Sequence, residues 1–105
     1  MIIVETPTFT RQIDRLLDVP SYRELQNALV DEPTRGKVIP GTGGLRKFRW
    51  SGSGRGKRGG IRVIYYWIRE RDWILMLLAY PKAERDDLTA EQKRILRRLV
   101  EEELP

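Results

Sequence analysis

The stretch from Leu45 to Tyr80 decides the fold: Leu45-Arg46-Lys47-Phe48-Arg49-Trp50-Ser51, then a glycine-rich loop, then Ile61-Arg62-Val63-Ile64-Tyr65-Tyr66-Trp67-Ile68-Arg69, a short turn, and Trp73-Ile74-Leu75-Met76-Leu77-Leu78-Ala79-Tyr80. In the first segment Arg46, Phe48 and Trp50 fall on one face and Leu45, Lys47 and Arg49 on the other, the period of two expected of a strand. The second is rich in β-branched and aromatic residues, which favour a pleated surface. The third is apolar at nearly every position and is expected inside a sheet, covered on both faces. Glu70-Arg71-Asp72 is short enough for a tight hairpin turn, so the three strands read as an antiparallel meander.

Working outward, Met1–Glu5 reads as a first strand, with no basic lead, long apolar stretch or cleavage site that would make it an export signal. Thr6-Pro7 fits an N-cap followed by proline at the first helical position, and Phe9, Ile13, Leu16 and Leu17 recur at helical spacing. Asp18-Val19-Pro20 is expected to break that helix. Ser21 and Glu24 have capping-box spacing for a second helix, whose buried stripe is Tyr22, Leu25, Leu29 and Val30 and which must end before Pro33. After the meander, Thr89 and Gln92 cap a last helix with the stripe Ile95, Leu96, Leu99, Val100 and Leu104. Residues 1–105 thus form one α+β domain: two N-terminal helices and a C-terminal helix packed on a twisted, mainly antiparallel sheet of about four strands. With the helices on one face, the opposite face would be free for a polynucleotide.

Composition narrows the chemistry. The chain has no cysteine and no histidine, which removes disulfides, thiolates, imidazole catalysis and the favoured zinc ligands. Asp86-Asp87 is a lone acidic pair, expected to be an exposed turn rather than a cation site, and neither metal nor cofactor is expected. The longest apolar run, Trp73–Tyr80, is too short to span a bilayer.

Charge is concentrated. Between Pro33 and Arg69 stand ten basic residues and no acid, while the remainder of the chain carries ten basic and fifteen acidic groups; the net +5 is thus +10 in the middle and −5 at the ends. A block of that kind is an electrostatic footprint for phosphate, the alternative being a solvated surface. The loop Gly52–Gly60 adds Arg55, Lys57 and Arg58 but is no phosphate-binding P-loop: arginine follows Lys57, and the next element is a strand. It reads as a cationic hairpin able to follow a phosphodiester backbone, or as a solubilising connection. Lys47 and Arg49 project from one strand face, and Arg62 can sit beside them across the hairpin. Three cations there suit an anion, unless their stems only cover apolar surface. Tyr66 shares the face of Arg62 by parity, and Tyr80 ends its strand near Lys82. Most of the aromatic residues belong to the core, with one or two left to stack on unpaired bases.

The strings Gly41-Thr42-Gly43-Gly44-Leu45-Arg46-Lys47-Phe48-Arg49 and Gly56-Lys57-Arg58-Gly59-Gly60-Ile61-Arg62-Val63-Ile64-Tyr65-Tyr66 resemble the RelE/ParE superfamily, in particular the HigB-like branch of type II toxins. The similarity covers nearly the whole chain, including the element order and the Asp87-Leu88-Thr89 helix start. It implies a RelE-like fold and a cytoplasmic, metal-independent endoribonuclease. Such an enzyme cuts mRNA in the ribosomal A site by 2′-hydroxyl attack, and a cognate antitoxin with a helix-turn-helix DNA-binding domain neutralises it. The family's cations on the middle strands map to Lys47, Arg49 and Arg62, and the basic residue after the last strand maps to Lys82 or Arg85. Leu88 stands near the place of the family's late tyrosine, so Tyr80 or Tyr66 would substitute. Arg46, Arg55, Lys57, Arg58, Tyr66 and Arg85 complete the expected RNA- and ribosome-binding set. Lys47, crowded by Arg49 and Arg62, is the candidate base. The rival readings are a ParE-like toxin that inhibits DNA gyrase and a nucleic-acid-binding module without catalysis.

Overall fold

A computed structural model describes residues 1–51, 60–85 and 87–103. Five strands form one sheet: β1 (Ile2–Glu5), β2 (Lys37–Val38), β3 (Arg46–Trp50), β4 (Ile61–Ile68) and β5 (Trp73–Pro81), in the order β1-β5-β4-β3-β2. All neighbours are antiparallel except β1 and β5. The helices are α1 (Pro7–Leu16), α2 (Val19–Asp31) and α3 (Ala90–Glu103). The α+β class and the strand meander match the sequence reading. Strand β2 is additional; its two residues lie between Gly36 and Ile39-Pro40 and carry no periodic pattern.

Local chemistry explains the junctions. Thr6 Oγ1 accepts from the Phe9 N–H at 3.0 Å and donates to the Leu77 carbonyl at 3.0 Å, so one hydroxyl caps α1 and ties it to β5. The first helix breaks at Leu17-Asp18 as expected, and Asp18-Val19-Pro20 also opens α2. Asp18 is the N-cap, accepting from Ser21 N at 2.8 Å, and Pro20 occupies the first turn, where a missing N–H costs nothing. The capping box expected at Ser21 and Glu24 therefore gives way to Asp18, three residues earlier. At α3 the box forms as expected, with Gln92 N donating to Thr89 Oγ1 (3.1 Å) and Thr89 N to Gln92 Oε1 (2.9 Å). The β4–β5 turn places Asp72 at φ 55°, a left-handed conformation that aspartate tolerates.

The sheet is packed on both faces, which corrects the expectation of a free one. Phe9, Ile13, Leu16, Leu25 and Leu29 from α1 and α2 bury Phe48, Val63, Tyr65, Ile74 and Met76 on the first face. Leu96 and Val100 of α3 pack with Ile64, Ile68, Leu75 and Leu77 on the second. The pleat separates them, since alternate residues of β4 (Val63 and Tyr65 against Ile64 and Ile68) supply opposite cores. A bulge at Leu77 (Ile64 opposite Leu78, Tyr65 opposite Met76) sets both Leu77 and Leu78 toward the second face. The expected stripes are narrower than read. Val30 is 43% exposed, Ile95 54% and Leu99 40%; Leu104 lies outside the described residues.

Tyr65 fastens the chain between α2 and β2. Its hydroxyl accepts from Gly36 N and donates to the Pro33 carbonyl, both at 2.8 Å. Burial raises the phenol above its ordinary value, against the opposing pull of the Gly36 N–H and of Arg46 and Arg35. A Cβ at Gly36 would meet Tyr65 Cε1 at 2.8 Å, so only glycine lets this backbone approach the ring.

Candidate functional site

Strand register assembles the expected cations. Arg49 lies opposite Arg62, and Arg62 lies opposite Tyr80, so the three form one row across β3, β4 and β5. Lys47, opposite Ile64, stands in the next row on the same face, about 7 Å along the strand from Arg49. The face is the one that α3 covers farther along. Half of it is therefore an apolar bed under α3, and the other half presents Lys47, Arg49, Arg62 and Tyr80. Arg49 is exposed, Arg62 and Lys47 are half-buried, and Tyr80 is only 6% exposed.

The β5–α3 connection closes over this row. Arg85 stacks on the Tyr80 ring with Cζ 5.1 Å from the centroid. Lys82 donates its backbone N–H to the Gly60 carbonyl at 3.1 Å, which pins the end of β5 to the start of β4. Gly60 makes that return possible at φ 73°, where a Cβ would collide with the Trp50 carbonyl. Asp87 reaches back across the sheet, its carboxylate 2.8 Å from Lys47 Nζ. The residue read from sequence as part of an exposed turn is thus a member of the site. The pair joins positions forty residues apart, so no local pattern could announce it. It also alters the argument for Lys47 as a base, because the lysine faces a carboxylate as well as cations.

Two expected contacts stand apart from the row. Arg46 points to the opposite face, where its guanidinium donates to the carbonyls of Gly36 (2.7 Å) and Thr34 (3.4 Å) and holds the α2–β2 connection. Tyr66 is on the correct face but four residues along from Arg62, about 13 Å away, and packs on the α3 side against Gly44. Arg55, Lys57 and Arg58 lie outside the described residues, as does Asp86. Among the described residues no group of three or more His, Cys, Asp or Glu side chains is placed to hold a metal ion. No described helix is long and apolar enough to cross a membrane.

Chemically, the row offers fixed positive charge beside a phenol ring. Guanidinium groups keep their charge throughout the physiological range and present a planar fork of donors that fits phosphate oxygens. No protein-family model matches the chain. Among solved structures, the chain is similar to the free-state structure of the E. coli toxin RelE, solved as a double arginine-to-alanine mutant. That likeness has a TM-score of 0.54 and 17% sequence identity, and it covers 81% of this chain and 86% of RelE. At that identity the likeness is one of architecture, and it establishes that this chain has a RelE-like fold.

Proposed function

We propose that the chain is a ribosome-dependent mRNA endoribonuclease, a toxin of the RelE/HigB kind that a cognate antitoxin holds inactive in the cytoplasm. The observation that carries this reading is the row Arg49–Arg62–Tyr80 with Lys47 beside it, on three adjacent strands of a RelE-like sheet. In the proposed reaction the 2′-hydroxyl gives up its proton to water and attacks the neighbouring phosphorus as the bond to the 5′-oxygen breaks, leaving a 2′,3′-cyclic phosphate on one fragment and a 5′-hydroxyl on the other. Arg62 and Arg49 face the phosphorane oxygens, whose charge grows in the transition state; stabilisation of that kind is usually the largest catalytic contribution. Lys47 adds a third cation once RNA phosphate replaces the Asp87 carboxylate. Arg85 leaves the Tyr80 ring for the backbone, which uncovers the phenol to hand a proton to the departing 5′-oxygen. Lys82 and the loop cations Arg55, Lys57 and Arg58 follow the flanking phosphates.

The site lacks imidazole, so the ribosome is assigned the task of bending the mRNA into line. Positioning alone supplies several kcal/mol in reactions of this type. The test is an in vitro translation reaction followed by primer extension on the mRNA, with and without ribosomes. Cuts inside codons that depend on translating ribosomes are expected. Intact mRNA with correctly folded protein would overturn the reading in favour of a gyrase-directed or binding-only protein.

A further inference from the structure

We propose that the cleft beside the outer edge of β5 is a nucleobase subsite next to the cation row, an inference that rests on the RNA reading above. Strand β1 pairs with β5 only as far as Met76. Beyond that point the outer edge of β5 turns to α1, whose side chains satisfy it. Thr6 Oγ1 donates to the Leu77 carbonyl, and Gln12 Oε1 accepts from Ala79 N at 2.9 Å. The edge is therefore closed to a further strand, yet a cavity of about 320 Å³ remains beside it. Gln12 and Arg15 of α1, Tyr80 and Pro81 of β5, and Glu84 and Arg85 of the connection line it, over a floor of Leu16 and Ala79. Its size falls at the low end of the roughly 300–1,000 Å³ typical of small-molecule sites.

The lining selects the occupant. A bare phosphate would be drawn to Arg15 and Arg85 but repelled by Glu84. An apolar side chain would leave three charged groups and an amide around it. A base satisfies all of them: its edge carries donors for the Glu84 carboxylate and acceptors for guanidinium or amide N–H groups, and its face stacks on a guanidinium plane or ring. Gln12 has its carbonyl end held by Ala79, which leaves the NH2 end as the donor. Tyr80 belongs both to this wall and to the row containing Arg62, so a base seated here belongs to a nucleotide next to the phosphate in the row. Glu84, whose ionised carboxylate can only accept, is the specificity-determining residue.

The experiment titrates full-length, isotope-labelled protein with each of the four nucleoside 5′-monophosphates and with ribose 5-phosphate. It follows the Ala79 backbone amide and the Gln12 side-chain amide by NMR. The nucleotides are expected to shift both signals and ribose 5-phosphate neither. Glu84→Gln, an exposed position that leaves the fold intact, is expected to reorder the four bases by about fivefold or more, the low end for a paired base contact. Equal shifts with ribose 5-phosphate, no shift at Ala79 and Gln12, or an unchanged base order in Glu84→Gln would overturn the subsite. Mapping cuts on translating ribosomes separates the two readings. Base-selective binding without cleavage removes the ribonuclease and keeps the pocket, whereas cleavage with an identical base bias in Glu84→Gln removes the pocket and keeps the ribonuclease.

Discussion

The two faces of the sheet are built from the same strands but solve different problems. On the first, α1 and α2 run across β3, β4 and β5, and Phe9, Leu25, Leu29, Val63, Tyr65, Ile74 and Met76 are each fully buried. On the second, α3 contributes Leu96 and Val100 to the buried cluster and leaves Ile95 and Leu99 largely exposed, while the strands beside that cluster carry Arg49 and Arg62. The first face is thus covered by two helices and the second by one, which leaves the second room for a row of like charges that no core would tolerate. The division also explains how a chain of 105 residues supports both a fold and a site: each face has its own buried cluster, and the strands between the layers hold the cations in fixed register.

Breaking the first face is expected to have the largest effect. Phe9 is fully buried at the centre of the α1–sheet contact, and Phe9→Ala should cost about 3–5 kcal/mol from lost transfer energy and the cavity left behind. The matching change on α3, Ile95→Ala, removes a side chain that is 54% exposed and should stay within about 1 kcal/mol. Urea denaturation of both variants measures the contrast. Comparable losses would show that α3 contributes as much to the fold as α1 does.

The next effect falls on the second face alone. Arg62→Ala is expected to fold as the parent does and to lose about a hundredfold or more in ribosome-dependent cleavage, the usual consequence of removing one donor aimed at a developing anion. A melting temperature within a few degrees of the parent, together with that loss, would assign Arg62 to chemistry. Parental activity would remove Arg62 from the site.

A smaller effect separates the faces by pH. Tyr22 of α2 donates to the carboxylate of Glu5, the last residue of β1. Burial first, then that hydrogen bond and the charge of Glu5, raise the phenol well above its ordinary value. The folded protein therefore keeps a proton that the unfolded chain has lost above about pH 10, the ordinary tyrosine value. The unfolded state binds fewer protons there, so stability is fully present below that pH and falls as pH rises above it. Burial of Tyr65 acts in the same direction. Denaturation curves at pH 9 and above should show a shallower decline in Tyr22→Phe than in the parent. An identical slope would assign the alkaline loss to other groups.

What the sequence made legible follows the same division. The alternation in β3 and the unbroken apolar run of β5 are local signals, and they placed the strands, the meander and the shared face of Lys47, Arg49 and Arg62. The stripe of α3 gives neither its place on the sheet nor its depth of burial. An amphipathic stripe tells that one side of a helix is buried, not against which face of the sheet or how fully, and Ile95 and Leu99 lie on the edge of the stripe. Strand β2 is too short for any period to show. Asp87 and the cleft residues Gln12 and Arg15 were invisible for another reason: α1, β5 and the connection meet only through the crossover from β1, and contacts between residues 12 and 79 or 47 and 87 leave no trace in local spacing.

The smallest expected effect tests how finely the second face is balanced. Asp87 lies 2.8 Å from Lys47, with the aspartate 69% and the lysine 30% exposed. An ion pair so open to solvent contributes only about 0–1 kcal/mol, so removing it leaves the fold unchanged. Its carboxylate nevertheless occupies a place that an RNA phosphate would take, which makes it an internal competitor. Asp87→Asn is therefore expected to tighten binding of a short single-stranded RNA by at most about fivefold, the equivalent of 1 kcal/mol. The gain should fade as salt is raised, because at about 0.1 M the screening length is already only about 10 Å. Fluorescence anisotropy at two salt concentrations measures both points. Weaker binding in Asp87→Asn would mean that the carboxylate holds Lys47 in the orientation RNA needs, and the second face would then depend on Asp87 as much as on its cations.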